Sequence, residues 1–166
     1  MTPKRQTGTK KQIKLAVAKL FQEKSFEEIS VTMICRQANI NRGTFYLHYL
    51  DKFDLMDKIK DETLADIKAI ITDQEALFTK KVINKALHYI IDDFEFIFAI
   101  AKSNYINFPA SIREFLEVLM STSPNTDQEL EKHYQIPLHY AKISYIASLE
   151  AIISEWISRL YNFCSG

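Results

Sequence analysis

Three glycines and four prolines in 166 residues leave this chain few places to turn tightly. Left-handed backbone is adopted most readily by glycine, and two-residue hairpin loops depend on it. A sheet protein built from many hairpins is therefore excluded. The abundance of Leu, Ile, Lys, Glu and Ala points to an all-α chain. At this length folding removes roughly 70% of the unfolded surface, enough for one large domain or for a small head on a larger body. Apolar residues recur at helical spacing almost throughout. Ile13, Val17, Leu20 and Phe21 mark a helix over about 9–24, and residues 1–8 read as an unstructured basic arm. Leu55, Ile59, Leu64, Ile67 and Ile71 mark a second, from Asp51 to about Thr72. Val82, Ile83, Leu87, Ile90, Ile91, Phe94, Ile97, Phe98 and Ala101 mark a third, running unbroken over about 80–102 and apolar enough to be covered on more than one side. Pro109 opens a helix with Ile112, Phe115, Leu116 and Leu119 inward. A short helix over 127–134 follows, and Pro137 opens the last, to about Asn162. Residues 73–79 and 121–126 read as loops.

The stretch from Ser30 to Lys52 has the pattern of a helix-turn-helix. Ser30 is a good N-cap, and Val31, Ile34 and Ala38 fall on one helical face. Asn39 tolerates the left-handed conformation a tight turn needs, and Ile40 tucks inward. Asn41 caps a second short helix whose Phe45 points to the core. Arg42, Thr44, Tyr46, His48 and Tyr49 then offer charge, donors and aromatic faces on its other sides, a combination suited to a DNA groove.

Residues 10–56 resemble the TetR family of transcriptional regulators. The resemblance is carried by Ile34, Cys35, Ala38, Asn39-Ile40-Asn41, Gly43-Thr44-Phe45-Tyr46, His48-Tyr49, Lys52 and Asp54-Leu55. Two residues depart from the usual pattern: Asn39 stands for a glycine and Cys35 for an alanine. The resemblance implies an all-α fold with an N-terminal three-helix head carrying the helix-turn-helix (residues 1–52) and a helical C-terminal body for ligand binding and dimerisation (53–166). It also implies site roles. Thr32 and Thr44 would supply hydroxyls at the groove edge or to phosphate, and Arg42 would contact phosphate or guanine. Gly43 would let the backbone approach closely. Tyr46 and His48 would meet base edges or phosphate, and Tyr49 and Lys52 would hold the DNA backbone. Partial packing of the Tyr46 and Tyr49 rings within the head is the plainer alternative.

Charge is distributed in keeping with an oriented DNA binder. Net charge is zero, but residues 1–52 hold ten Lys and Arg against four acids, a net of +6, and the remainder eleven against seventeen, a net of −6. A basic head on an acidic body confines phosphate attraction to one end. The N-terminus lacks the apolar run of a secretory signal, no span reaches the roughly 20 apolar residues of a membrane helix, and two cysteines make no disulfide framework. The expected location is the cytoplasm. No phosphate loop, nucleophile elbow or spaced metal-ligand set occurs, so neither enzymatic activity nor a cofactor or metal is expected. His88, His133 and His139 read as surface or half-buried packing, with a metal or ligand role as the alternative, and Asp92, Asp93 and Glu95 as a solvated acidic cluster.

The last helix carries two apolar stripes, which calls for two partners. Leu149, Ile152, Ile153, Trp156 and Leu160 are the expected homodimer seam. Family members usually build this interface from two helices per chain. Here Gly166 follows soon after the first, so either the helix near Ile112 to Met120 substitutes in a smaller interface, or the dimer is weak and forms mostly on DNA. Phe94, Phe98, Tyr105, Phe115 and Tyr140 are the expected lining of an effector pocket. The function these readings favour is a regulator, a repressor on a palindromic operator, bound as a homodimer and released by a small molecule. A TetR-like helical adaptor acting through a protein partner is the alternative.

Overall fold

A computed structural model of the chain describes residues 3–72, 80–122 and 126–164, with the side chains of 3–7, 80–83, 95, 99, 102 and 160–164 left aside. Among the described residues all regular structure is α-helical. The helices are α1 (Pro3–Glu23), α2 (Val31–Gln37), α3 (Arg42–Tyr46), α4 (Lys52–Thr72), α5 (Lys80–Asp92), α6 (Phe94–Lys102), α7 (Phe108–Ser121), α8 (Thr126–Tyr134) and α9 (Leu138–Cys164). They divide into two compact units, Met1–Tyr105 and Ile106–Gly166. The boundary expected after Lys52 falls inside the first unit, where α4 begins. The expected loop at 73–79, and residues 123–125 of the other, lie outside the described residues.

In the first unit α1 packs against α2 and α6, and α4 against α5. Ile13, Val17 and Leu20 of α1 meet a core that includes Phe26, Ile29, Ile34, Phe45, Leu55, Met56 and Ile59, all buried. α1 starts at Pro3 rather than near residue 9, so the expected basic arm is largely drawn into the helix. The single helix expected over 80–102 is two. Asp93 (φ −106°, ψ 17°) interrupts it, and its carboxylate accepts from Lys14 Nζ of α1 while the same ammonium lies 4.8 Å from the Phe96 ring. That pairing spans 79 residues, which no local pattern signals, and it takes Asp93 out of the solvated cluster.

In the second unit Asn107 caps α7, its side-chain oxygen accepting from Ala110 N–H at 3.1 Å, with Pro109 in the first turn. α8 stops where Gln135 turns left-handed (φ 54°), and the Pro137 carbonyl accepts from Tyr140 and Ala141 N–H to start α9. The core here comprises Ile112, Leu116, Met120, Leu130, Ala141 and Ile146, with Leu138, Tyr145, Leu149 and Ile153 packed against it. Leu149 and Ile153, expected in a dimer seam, thus serve the chain's own core, as do Ile112 and Met120 of the helix expected to substitute. Ile152 is 63% exposed, Trp156 half-buried, and the Leu160 side chain lies outside the described residues.

Candidate nucleic-acid interface

The turn between α2 and α3 is built by three short polar residues. Ser30 Oγ accepts from Met33 N–H at 3.3 Å, closing the first turn of α2. Asn39 then takes φ 53°, and the next N–H, from Ile40, donates to the Cys35 carbonyl at 3.0 Å. This is the left-handed C-terminal cap usually occupied by glycine, with Asn as the tolerated substitute. Asn41 Oδ1 accepts from both the Thr44 N–H at 2.7 Å and the Thr44 hydroxyl at 3.0 Å, which fixes the start of α3. Cys35 is buried against this turn, and burial pushes its thiol pKa up.

Phe45, wholly buried, sets the inward direction of α3. Arg42, Gly43 and Tyr46 are exposed and Thr44 half-buried. Arg42 Nη2 donates to Tyr46 Oη at 3.1 Å, with the guanidinium carbon 5.7 Å from the Tyr46 ring centroid. The pair lies on one helical face at i, i+4 spacing, so the guanidinium is oriented by its neighbour. Gly43 has a local reason to be glycine as well, because a Cβ there would meet Asn41 Oδ1 at 3.2 Å and press on the cap. The Thr44 hydroxyl proton is engaged with Asn41, which leaves its oxygen as an acceptor. Thr32 is exposed in the first turn of α2, and His48 is half-buried just beyond α3.

Two expected backbone contacts are placed otherwise. Tyr49 is 1% exposed, packed 5.6 Å from the Phe45 ring, and its hydroxyl is buried without a hydrogen-bond partner. A phenol so enclosed does not reach phosphate. Lys52 Nζ donates to the carbonyls of Phe26 at 2.8 Å, Glu27 at 3.1 Å and Ile29 at 2.9 Å, so its three protons already have acceptors within the chain. It ties the start of α4 to the loop between α1 and α2. Asp51 caps α4 by accepting from Phe53 and Asp54 N–H, and Asp54 accepts from Leu50 N–H and Lys58.

The five aromatics expected to line a pocket are divided between the units. Phe94 and Phe98 stack on one another along α6, with ring centroids 6.0 Å apart. Tyr105 serves the head instead. Its ring stacks on Phe26 at 4.9 Å and meets Phe53 at 5.1 Å, while its hydroxyl donates to Asp57 at 2.9 Å. In the second unit Phe115 is half-buried and Tyr140 is 61% exposed beside His139.

Two features of the exposed face of α3 go beyond the expected roles. The Arg42–Tyr46 bond is signalled by its spacing. Leu47, which caps α3 and is 83% exposed, is signalled by its position two residues past the inward Phe45. No group of three or more His, Cys, Asp or Glu able to hold a metal occurs among the described residues, and no helix among them is long and apolar enough to cross a membrane.

The head has the geometry of a helix-turn-helix protein on an all-α scaffold. Residues 15–59 match the family model described as bacterial regulatory proteins, tetR family. The chain is 30% identical to an HTH-type transcriptional regulator of Staphylococcus aureus (strain bovine RF122 / ET3-1) over 45% of this chain and 48% of that protein, and so spans about half of that curated relative's length. In fold it is similar to the dihydroxyacetone kinase operon activator DhaS, with a TM-score of 0.64, 22% identity, and coverage of 91% of this chain and 85% of that one. It is likewise similar to a transcriptional regulator from Aquifex aeolicus VF5 (0.59, 24%, 92% and 84%) and to the fatty acid degradation regulator FadR from Bacillus halodurans (0.60, 16%, 96% and 86%). At these identities the solved structures speak to the fold. Residues 15–59 thus resemble the helix-turn-helix region of the tetR family of bacterial regulatory proteins.

Proposed function

We propose that this chain is a DNA-binding transcriptional regulator whose α3 enters the major groove. The observation that carries this reading is the face of α3 opposite Phe45. There Arg42 is held ready by Tyr46, Gly43 leaves the backbone bare, and the Thr44 oxygen is free to accept. The basic excess of residues 1–52 supplies the non-specific attraction that precedes reading. A five-residue reading helix makes few base contacts, so specific binding calls for two heads on a palindrome, hence a homodimer. A repressor, released by a small-molecule effector in the body, completes the proposal. Binding-site selection from a randomised duplex library, followed by gel shift on DNA upstream of the protein's own gene, tests it. Enrichment of a palindromic motif bound well above random duplex is the expected result. Equal affinity for all duplexes would overturn it, and a reporter driven by the bound promoter gives the sign of regulation.

A further inference from the structure

We infer that Leu47 is a specificity-determining residue that reads thymine, its isobutyl group meeting the C5-methyl in the major groove; this rests on the DNA-reading head proposed above. At about 100° per residue, Gly43 and Leu47, two residues either side of Phe45, share the outermost line of α3. Leu47 N–H donates to the Gly43 carbonyl at 3.1 Å, which places the two on successive turns. Gly43 has no side chain, so the Leu47 side chain, 83% exposed, is what this line presents. Its flanks are polar, with Arg42 and Tyr46 bonded together on one side and Thr44 on the other. An apolar group at the centre of a polar reading face has one complement in the major groove of unmodified DNA, since thymine alone among the four bases carries a methyl group there. The other strongly exposed leucine of the head, Leu50 (78%), lies outside α3, in the turn whose N–H donates to Asp54, and is not part of this line. The test uses the full chain and the duplex it enriches from a random library. Each thymine is replaced in turn by deoxyuridine, which pairs identically and lacks only the methyl. At one thymine position uridine should weaken binding about fourfold, the worth of one buried methyl-sized group. Leu47→Ala should bind both duplexes equally, and Leu50→Ala should keep the fourfold preference. If no thymine responds, or if the preference survives in Leu47→Ala, Leu47 does not read thymine while the DNA-reading head stands. Failure to enrich any sequence overturns both.

Discussion

Lys52 Nζ donates to the carbonyl oxygen of Phe26 at 2.8 Å and lies 4.6 Å from the centroid of that residue's ring. One side chain thus satisfies the backbone of the α1–α2 loop and rests on the aromatic group the loop buries. Phe26 is also stacked by Tyr105 and met edge-on by Phe53, 5.3 Å away. The start of α4, the loop and the end of the first unit are held at one point, so the orientation of the reading head depends on a lysine that need not touch DNA itself.

Replacing Lys52 by Met keeps the stem and deletes the charge, leaving the Phe26, Glu27 and Ile29 carbonyls without this donor. Hydrogen bonds from a charged group contribute about 1.5–3 kcal/mol, and because Lys52 is only half-buried a total near 2 kcal/mol is expected. For a chain of this length that lowers Tm by about 4–8 °C. An unchanged melt would show that water replaces the cage at no cost.

Arg42 and Lys52 should separate in their salt dependence. Arg42→Ala removes an exposed guanidinium from the exposed face of each α3, and the slope of log K against log salt should fall by about 0.9 per head, about 1.8 for the proposed homodimer. Lys52→Met should leave that slope unchanged at temperatures where it is folded. Tyr46→Phe keeps the ring and deletes the acceptor that orients Arg42, so it should weaken specific binding more than binding to random duplex. Equal losses on both duplexes would mean the pairing does not prepare Arg42 for reading.

Tyr49 carries a buried hydroxyl with no partner, a burden rather than a contact. Tyr49→Phe should stabilise the fold by about 1 kcal/mol, raising the urea midpoint at constant m, with operator affinity intact. Burial, then the Glu62 and Asp54 charges, push this phenol from 10.0 up to about 12. A raised folded pKa gives stability that is complete below pH 10 and lost as pH climbs toward 12. The alkaline fall in stability should therefore be shallower in Tyr49→Phe, as read by denaturant titration from pH 9 to 12.

Asp54 moves in the opposite sense. The Leu50 N–H, then Lys58, hold its carboxyl below the ordinary value of 3.8. A depressed folded pKa gives stability that is complete above the ordinary value and lost as pH falls through the lowered one. Asp54→Asn should flatten the acid limb of the stability curve below about pH 4, and leave neutral-pH helicity unchanged. Acid limbs that superimpose would assign the loss to other carboxylates, such as Glu28, which Ser25 N–H and hydroxyl hold low in the same way.

What was legible in the chain follows from how far apart the interacting residues lie. The Ser30 cap, the left-handed Asn39, the Asn41 cap and the inward Phe45 all depend on residues within four positions, and a sequence pattern carries them directly. Lys52 acts on carbonyls 23 to 26 residues away, Tyr105 on Asp57 across 48, and Asp93 on Lys14 across 79. Residue type alone points elsewhere in each case: lysine to a phosphate ligand, tyrosine to a pocket wall, aspartate to solvated surface. Polar side chains are the ones whose partners are ambiguous, since an ammonium is satisfied equally by a phosphate or by three carbonyls. In α9 the helix was legible, but residues of both expected apolar stripes, Tyr145 and Leu149 of one and Ile146 and Ile153 of the other, pack on a single core. Which α9 residues serve the chain's own core depends on where α7 and α8 lie, and Leu149 and Ile153 both do.

The same division directs a test of the proposed homodimer. Ile152 and Ile153 are adjacent, yet one is 63% exposed and the other packs against the core of the second unit. Ser144, Ala147, Ser148 and Ala151 lie on the exposed part of α9, where small side chains let a second helix come near. Ile152→Glu should therefore put a charge into the seam between two copies without disturbing either. The variant should sediment as a monomer at concentrations where the parent is a pair, keep its helical content and Tm, and lose operator binding by far more than tenfold. Ile153→Glu places its charge inside the chain's own core, so it should lower Tm strongly whatever the oligomeric state. A paired Ile152→Glu that still binds its operator would move the interface off this face of α9.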